Sequence, residues 1–359
     1  MTLILTLFIV KDRGGCSQTC IVRSQKEFSC SCRSGYLLQA DGKTCRASGM
    51  PPFLIFQHKN ELRQIDYDGS NYKVFLRMPE DTDQYYSDNF GQARNLLAYD
   101  SVTDMIYFVR RNILYKTTID KPEVNIQKRT KHTENIVAIS IDWHHRNLFF
   151  ADDKGFIYRI GTERGEAVKF LDGRIRRVSE IITGLAVFPE GNILFISTNF
   201  GLSSNSLDTG KHDKVLSYQT VQDVTIDHVD KRVYWTEKTG HPDVMTDYVK
   251  SANLDGSDEI NLTERSNIDK GLAGKGIKTV YRNPFSIAVF EDFVWVSDVG
   301  KRSLARLHKH NSMVKVRTLA GGDMNPTGLV IIHSLIQPGA NPCLVNNGDC
   351  DQKCHHYRF

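Results

Sequence analysis

Between Cys45 and Cys343 this 359-residue chain has no cysteine. A stretch of that length must hold together through its own core. The cysteines crowd instead at the two ends, Cys16, Cys20, Cys30, Cys32 and Cys45 before it and Cys343, Cys350 and Cys354 after it. That segregation points to small disulfide-stapled modules flanking a large staple-free domain, in an oxidising compartment. Long apolar runs are missing too. The only candidate, Met1–Val10 followed by Lys11-Asp12-Arg13, falls short of the ~20 residues that cross a bilayer, so no membrane span is expected here. It has no basic stretch in front and no small-residue cleavage site before Cys16, so residues 1–13 read either as an apolar leader or as a fragment edge.

Charge of one sign is scarce as well. The formal net charge is +4, and the basic clusters Arg174 to Arg177 and Lys128 to Lys131 are short and interrupted. They read as solvated surface, and no nucleic acid is expected as a partner. Catalytic signatures also fail. Gly271 to Thr279 approximates a phosphate loop, but no lysine follows Gly276 directly and the hydroxyl residue is misplaced. Cys350-x3-Cys354-His355-His356 brings thiols and imidazoles together without a matching half-site, and a disulfide explains the spacing better. No metal or cofactor is expected, and the chain does not read as an enzyme.

What is present is repetition. Val233-Tyr234-Trp235-Thr236-Glu237 is an apolar, aromatic run closed by a hydroxyl and a carboxylate, and it follows turn formers at Asp227, His228 and Asp230. It reads as a half-buried strand. The same kind of tetrad returns at Tyr107-Phe108-Val109-Arg110, Phe149-Phe150-Ala151-Asp152, Phe195-Ile196-Ser197-Thr198 and Trp295-Val296-Ser297-Asp298, with a weaker copy at Ile55-Phe56-Gln57-His58. A leading phrase precedes five of them, at Leu96 to Asp100, Val137 to Asp142, Thr183 to Phe188, Asp223 to Asp227 and Ser286 to Phe290. A sixth, Thr327 to Ile332, has no tetrad after it. A turn and a short apolar strand follow every tetrad, for example Asp68-Gly69 to Leu76 and Asp255-Gly256 to Leu262.

Several short strands repeating every 40 to 50 residues or so predict an all-β chain, a six-bladed β-propeller. The phase offset strengthens this reading. The first tetrad lacks its leading strand and the last leading strand lacks its tetrad, so residues 327–332 are expected to complete the blade begun at residues 53–58 and hide two sheet edges.

Phe28-Ser29-Cys30-Ser31-Cys32-Arg33-Ser34-Gly35-Tyr36, closing at Asp41-Gly42-Lys43-Thr44-Cys45, resembles the second part of an EGF-like module. The tetrads resemble the YWTD repeats of the low-density lipoprotein receptor family. The stretch from Asn325-Pro326-Thr327-Gly328 through His333 to Pro338, on to Asn341-Pro342-Cys343 and Asn346-Asn347-Gly348-Asp349-Cys350, resembles the junction where that propeller meets its next EGF-like module. The opening Phe53-Leu54-Ile55-Phe56 and Asp66-Tyr67-Asp68-Gly69-Ser70-Asn71-Tyr72 is similar to the first blade in lipoprotein-receptor-related proteins. The resemblance covers residues 14–358 and implies a partial EGF-like module over 14–46, a YWTD propeller over 50–338 and a truncated EGF-like module over 341–359.

By the EGF-like pairing, the resemblance implies Cys16–Cys30, Cys32–Cys45 and Cys343–Cys354, with Cys20 and Cys350 unpartnered. Acidic calcium ligands are missing before the first cysteine and Val22 stands at a further ligand position, so calcium is expected only in EGF-like modules of a full-length protein. Arg110, Thr198 and His58 stand where the family usually has Asp, and those blades are expected to be less regular. The tetrads are expected to serve the fold. Tyr107, Phe108, Phe149, Phe150, Tyr234, Trp235 and Trp295 would pack between blades, while Thr236, Ser297, Asp152, Glu237 and Asp298 would satisfy backbone donors. Asn261-Leu262-Thr263 is the only glycosylation sequon, at an expected exposed edge.

The family further implies an extracellular or lumenal part of a cell-surface receptor that binds protein or lipoprotein ligands and releases them in acidic endosomes, where acidic cysteine-rich repeats dock on the propeller. The alternative is a propeller that binds secreted signalling or basement-membrane proteins directly, as in Wnt co-receptors and nidogen. Of the 12 histidines, His144, His145, His308 and His310 are the candidate pH sensors, expected in exposed turns. Mass spectrometry of the secreted chain is expected to find the three disulfides above with Cys20 and Cys350 free. A Cys16–Cys20 link would overturn the pairing.

Overall fold

The computed structural model describes residues 13–24, 27–78, 95–110, 112–129, 135–163, 165–172, 180–238, 247–263, 283–310, 317–320 and 324–339. Each repeat becomes a four-stranded antiparallel sheet, and together the six sheets form the blades of a propeller. Blade 2 comprises Leu97–Asp100, Met105–Arg110, Ile113–Thr118 and Asn125–Arg129; blade 3, Ile136–Asp142, Asn147–Asp152, Phe156–Gly161 and Val168–Asp172. Blade 4 comprises Ile182–Phe188, Ile193–Thr198, Gly201–Ser206 and His212–Ser217; blade 5, Thr220–Asp227, Arg232–Lys238, Tyr248–Asn253 and Ile260–Asn261; blade 6, Pro284–Phe290, Phe293–Asp298, Ser303–His308 and Arg317–Ala320. The leading phrase is always the first strand and the tetrad ends the second, except in blade 5, where Lys238 follows it.

Blade 1 takes its strands from both ends of the domain. Leu329–Ile332 pairs with Phe53–His58, which continues into Glu61–Asp66 and Lys73–Arg77. The closing register sets Leu329 opposite Phe56 and Ile332 opposite Phe53. First strands of neighbouring blades contact one another all the way round and so line the axis.

The core is six wedges, one at each blade boundary. A strand's side chains alternate between faces, so adjacent tetrad aromatics serve different wedges. Trp235 packs toward blade 4 and Tyr234 toward blade 6. Trp235 and Trp295 are fully buried, and each such aromatic contributes on the order of 2–3 kcal/mol. Of the blades that lack the acid, blade 4 is the less regular, with three register shifts, while blades 1 and 2 have one each, as blades 5 and 6 do. Arg110 donates to Asn60 (2.6 Å), Thr198 to Glu180 (2.9 Å), and His58 Nδ1 accepts from the Asn325 amide (3.0 Å), so the replacements still answer polar neighbours. The shortest fourth strand, Ile260–Asn261, belongs to blade 5 with its intact tetrad.

The N-terminal module holds two small sheets, Thr19–Val22 with Phe28–Ser31 and Tyr36–Leu38 with Cys45–Ala47. Disulfides join Cys16 to Cys30 and Cys32 to Cys45, and Cys20 is free. Cys343, Cys350 and Cys354 lie outside the described residues.

Removing residues 325–359 strips the closing strand and bares two sheet edges. The truncated chain is expected to aggregate or fail to be secreted, and normal secretion with an unchanged Tm would contradict closure there. The subtler Ile331→Ala, at a fully buried site, should cost roughly 2–5 kcal/mol, read as a lowered Tm.

Candidate functional site on the axis and the turn face

At one end of the ring lie the first-to-second turns of blades 2 to 6, together with third-to-fourth turns. The first strands of blades 2, 3 and 5 end in Asp100, Asp142 and Asp227, whose carboxylates accept amide hydrogens from the turns that follow, as Asp142 does from His144 and His145. The first-to-second turns of blades 2 to 6 each put a non-glycine residue in the left-handed region: Asp104, Arg146, Asn192, Lys231 and Glu291. Each such backbone costs about 1 kcal/mol, and three of these residues bind a neighbouring element. Arg146 pairs with Asp100 across blades 3 and 2, and Lys231 reaches Glu190 at 3.5 Å across blades 5 and 4. Glu291 accepts from Arg46 and from the Ala47 amide of the N-terminal module, both at 2.8 Å.

That module sits on this face over blades 5 and 6. Arg33 donates to the Val229 carbonyl, Arg46 also reaches Asp292 at 3.1 Å, and Tyr36 packs near Phe290. Beneath it, buried Lys309 is held between Asp227 and Asp230. Burial works against its charge, but the two carboxylates outweigh it and hold the amine well above its usual pKa. The segment after the closing strand crosses the centre of the same face, where Gln337 bonds the backbone of Tyr99 and Ser101.

The four candidate histidines lie at this end in two pairs, His144, His145 and His310 in turns and His308 closing the third strand of blade 6. His145 Nδ1 lies 2.7 Å from Asp142, and His310 Nε2 lies 3.2 Å from Asp230. The expectation of exposed turns is wrong for His144, which is buried edge-on against Trp143. His308 is a second correction: burial, opposed by Asp292, pushes its pKa down to about 4, below endosomal pH. Two further histidines, read in the sequence only as a turn former and as part of a junction, are also packed at this end. His228 is stacked on Phe188 with its pKa pushed to about 3 by burial and by His144, and His333 lies against Phe290. Nothing in their local sequence distinguishes them from ordinary turn residues.

On the axis lies a cavity of about 120 Å³, lined mostly by apolar first-strand side chains and by Trp143, His228, Ile336 and Gln337. The first strand of blade 5 bulges between Val221 and Asp223, and the carboxylate of Asp223 there becomes the hub of a polar knot. It accepts from the Val224 amide (2.9 Å), the Ser286 hydroxyl (2.9 Å), the Ile287 amide (3.1 Å) and the Asn95 side chain (3.0 Å). Asn95 in turn accepts from the Leu329 amide at 3.3 Å. Blades 5, 6, 1 and the start of blade 2 meet there. A side chain at Gly184 of blade 4 would come within 2.8 Å of Asp223. Burial pushes the Asp223 carboxyl up to about 7 against the pull of its four donors.

The tetrad acids do local work. Asp152 accepts from the amides of Lys154 and Phe156, and Asp298 from those of Asn283 and Lys301. Glu237 departs from the expectation, because it meets side chains: Ser217, Trp235 and Lys250. Thr236 donates to the Phe285 carbonyl of blade 6, and Ser297 accepts from Ser286. The sequon is less exposed than expected. Asn261 is half-buried, and Thr263 is buried with its hydroxyl accepting from the Val249 amide. Among the described residues no group of three or more His, Cys, Asp or Glu is placed to hold a metal ion, and no helix is long and apolar enough to cross a membrane.

Residues 10–45 match the family described as Coagulation Factor Xa inhibitory site, which covers the N-terminal module. Among solved structures, a chain from the crystal structure of a Nidogen/Laminin complex aligns over 79% of this chain and 99% of its own length, with a TM-score of 0.60 and 14% identity. The propeller fold is therefore shared with that structure. Kuenenia stuttgartiensis hydrazine synthase aligns over 70% of this chain and 71% of its own at 12% identity, with a TM-score of 0.47 that carries no argument.

Asp223 and His228 respond to acid in opposite directions. An acid whose folded pKa lies above its unfolded value contributes stability at low pH and loses it as pH rises, here through about 7. From pH 7.4 to 5.5 Asp223 should therefore add about 2 kcal/mol. His228, depressed to about 3, stays neutral where an unfolded histidine protonates and should remove about 1 kcal/mol. Denaturant unfolding of the wild type and Asp223→Asn at both pH values is the check. The gap between them should widen by about 2 kcal/mol on acidification, and a constant gap would mean that Asp223 does not titrate there.

Proposed function

We propose that this chain is an extracellular protein-binding propeller, the EGF-like and YWTD segment of a lipoprotein-receptor-related endocytic receptor. In this reading it binds protein or lipoprotein ligands and supports their release in acid. The observation that carries the acid part is the pairing of partly exposed His145 and His310 with buried carboxylates on one face. Imidazole is the side chain whose ordinary charge change falls between the cell surface and the endosome, and cationic rings on that face would favour an acidic cysteine-rich repeat as the incoming partner. The two disulfides support an oxidising, extracellular setting. His144 and His308 drop out of the sensing set for the reasons of burial given above.

A second reading rests on the shared fold with the Nidogen/Laminin complex structure: direct binding of a basement-membrane or secreted protein without acid release. One experiment separates the two. Binding of an acidic cysteine-rich repeat is measured at pH 7.4 and 5.5, alongside binding of laminin at pH 7.4. Affinity for the repeat should rise roughly ten-fold on acidification. His145→Gln/His310→Gln should flatten that rise and His308→Gln should leave it unchanged. A pH-independent affinity for the repeat together with saturable laminin binding favours the second reading.

A further inference from the structure

The tetrad of blade 4 ends in Thr198, where Asp152 and Asp298 stand in blades 3 and 6. A carboxylate is nonetheless present, supplied by Glu180 ahead of the first strand. The Thr198 hydroxyl donates to Glu180 Oε1 at 2.9 Å, while Glu180 Oε2 is buried with no hydrogen-bond partner. The corresponding carboxylate of blade 5, Glu237, is answered by Lys250 at 2.9 Å. A buried carboxylate oxygen left without a donor is costly, so blade 4 has the acid half of an ion pair whose basic half is not among the described residues.

Glu180 lines a cleft of about 60 Å³ at the edge of blade 4, walled by Thr198, Phe200, Leu202, Val215 and Tyr218. That is room for an ammonium group and its last methylenes. Phe200 and Tyr218 offer aromatic faces to a cation and apolar contact to the stem that carries it. Tyr218 is 76% exposed, and Ile181 beside Glu180 is also exposed. Among the described residues nothing hydrogen-bonds the exposed Tyr218 ring, so its rotation can widen the mouth at little cost. Gly201 lets the Ser217–Tyr218 segment close on the third strand, because a Cβ there would meet the Ser217 carbonyl at 2.2 Å. The cleft lies at the second-to-third turn of the blade, the end of the ring opposite the N-terminal module and the crossing Gln337.

We propose that this cleft receives a lysine side chain of a protein partner, with Glu180 Oε2 accepting from the ammonium and Phe200 and Tyr218 flanking its stem. The proposal deepens the protein-binding reading and is independent of the histidine pairs. Its test uses a small probe, so its failure and the failure of acid-dependent docking are distinguishable. Nα-acetyl-lysine amide is titrated into the whole chain labelled at tyrosine and phenylalanine rings, with Nα-acetyl-norleucine amide as the uncharged control. Saturable shifts of the Tyr218 and Phe200 resonances are expected with the lysine probe and not with norleucine. Glu180→Gln keeps an acceptor for Thr198 and should weaken the lysine probe roughly ten-fold at an unchanged Tm. Should that variant lose stability, Tyr218→Ser, at an exposed position, should weaken the probe while leaving Tm alone. Equal shifts with norleucine, undiminished binding by either folded variant, or no shift at all would overturn the proposal.

Discussion

Closure of the ring is the constraint on which everything else rests. A blade has an apolar face on each side and no stability of its own until both are covered, so five blades in a row would leave two wedges open. The four pairs from Leu329–Phe56 to Ile332–Phe53 turn an open stack into a ring in which all six wedges are filled. Asp223 tightens that ring from inside. Its carboxylate and Asn95 draw together blades 5, 6, 1 and 2, the part of the ring through which the closure runs. The buried charge is tolerated because four donors converge on it.

The architecture was legible because propeller blades repeat: a tetrad and its leading strand announce themselves by period even where single residues drift. Blade 1 could be read from the phase offset alone. The axis could not. The bulge that turns Asp223 inward is a register shift between two strands, and Gly184 matters only because another blade's carboxylate abuts it. Glu180 was equally hidden, since it substitutes for a tetrad acid from outside any strand and a different distance along the chain. The drift at Thr198 was visible in sequence, but its compensation was not.

The histidines show the same limit from another side. Turn position was correctly read for His144, His145 and His310, with His308 at the strand end beside the last, but exposure does not follow from turn position when a second module and a crossing segment cover the turns. His144 lies under that cover against Trp143, and His308 is desolvated beside Phe293. His145 and His310 are the two that stay partly exposed, each with a carboxylate of its own or a neighbouring turn at hand. The turn face is thus an internal joint as much as a surface, and the opposite end of the ring is where the cleft of blade 4 meets solvent.

The position of the two chain ends within blade 1 has a mechanical consequence. Phe53 and Ile332 are paired at the same end of an antiparallel ladder, so tension applied through the flanking segments would peel the closing strand one residue pair at a time, the weakest geometry for a sheet under load. The load does not reach the ladder directly. On the N-terminal side it passes through Arg46 into Glu291 and Asp292 of blade 6, and on the C-terminal side through Gln337 into blade 2. Those anchors sit in the blades on either side of blade 1, so a pull on the ends is borne across the ring before the seam is opened.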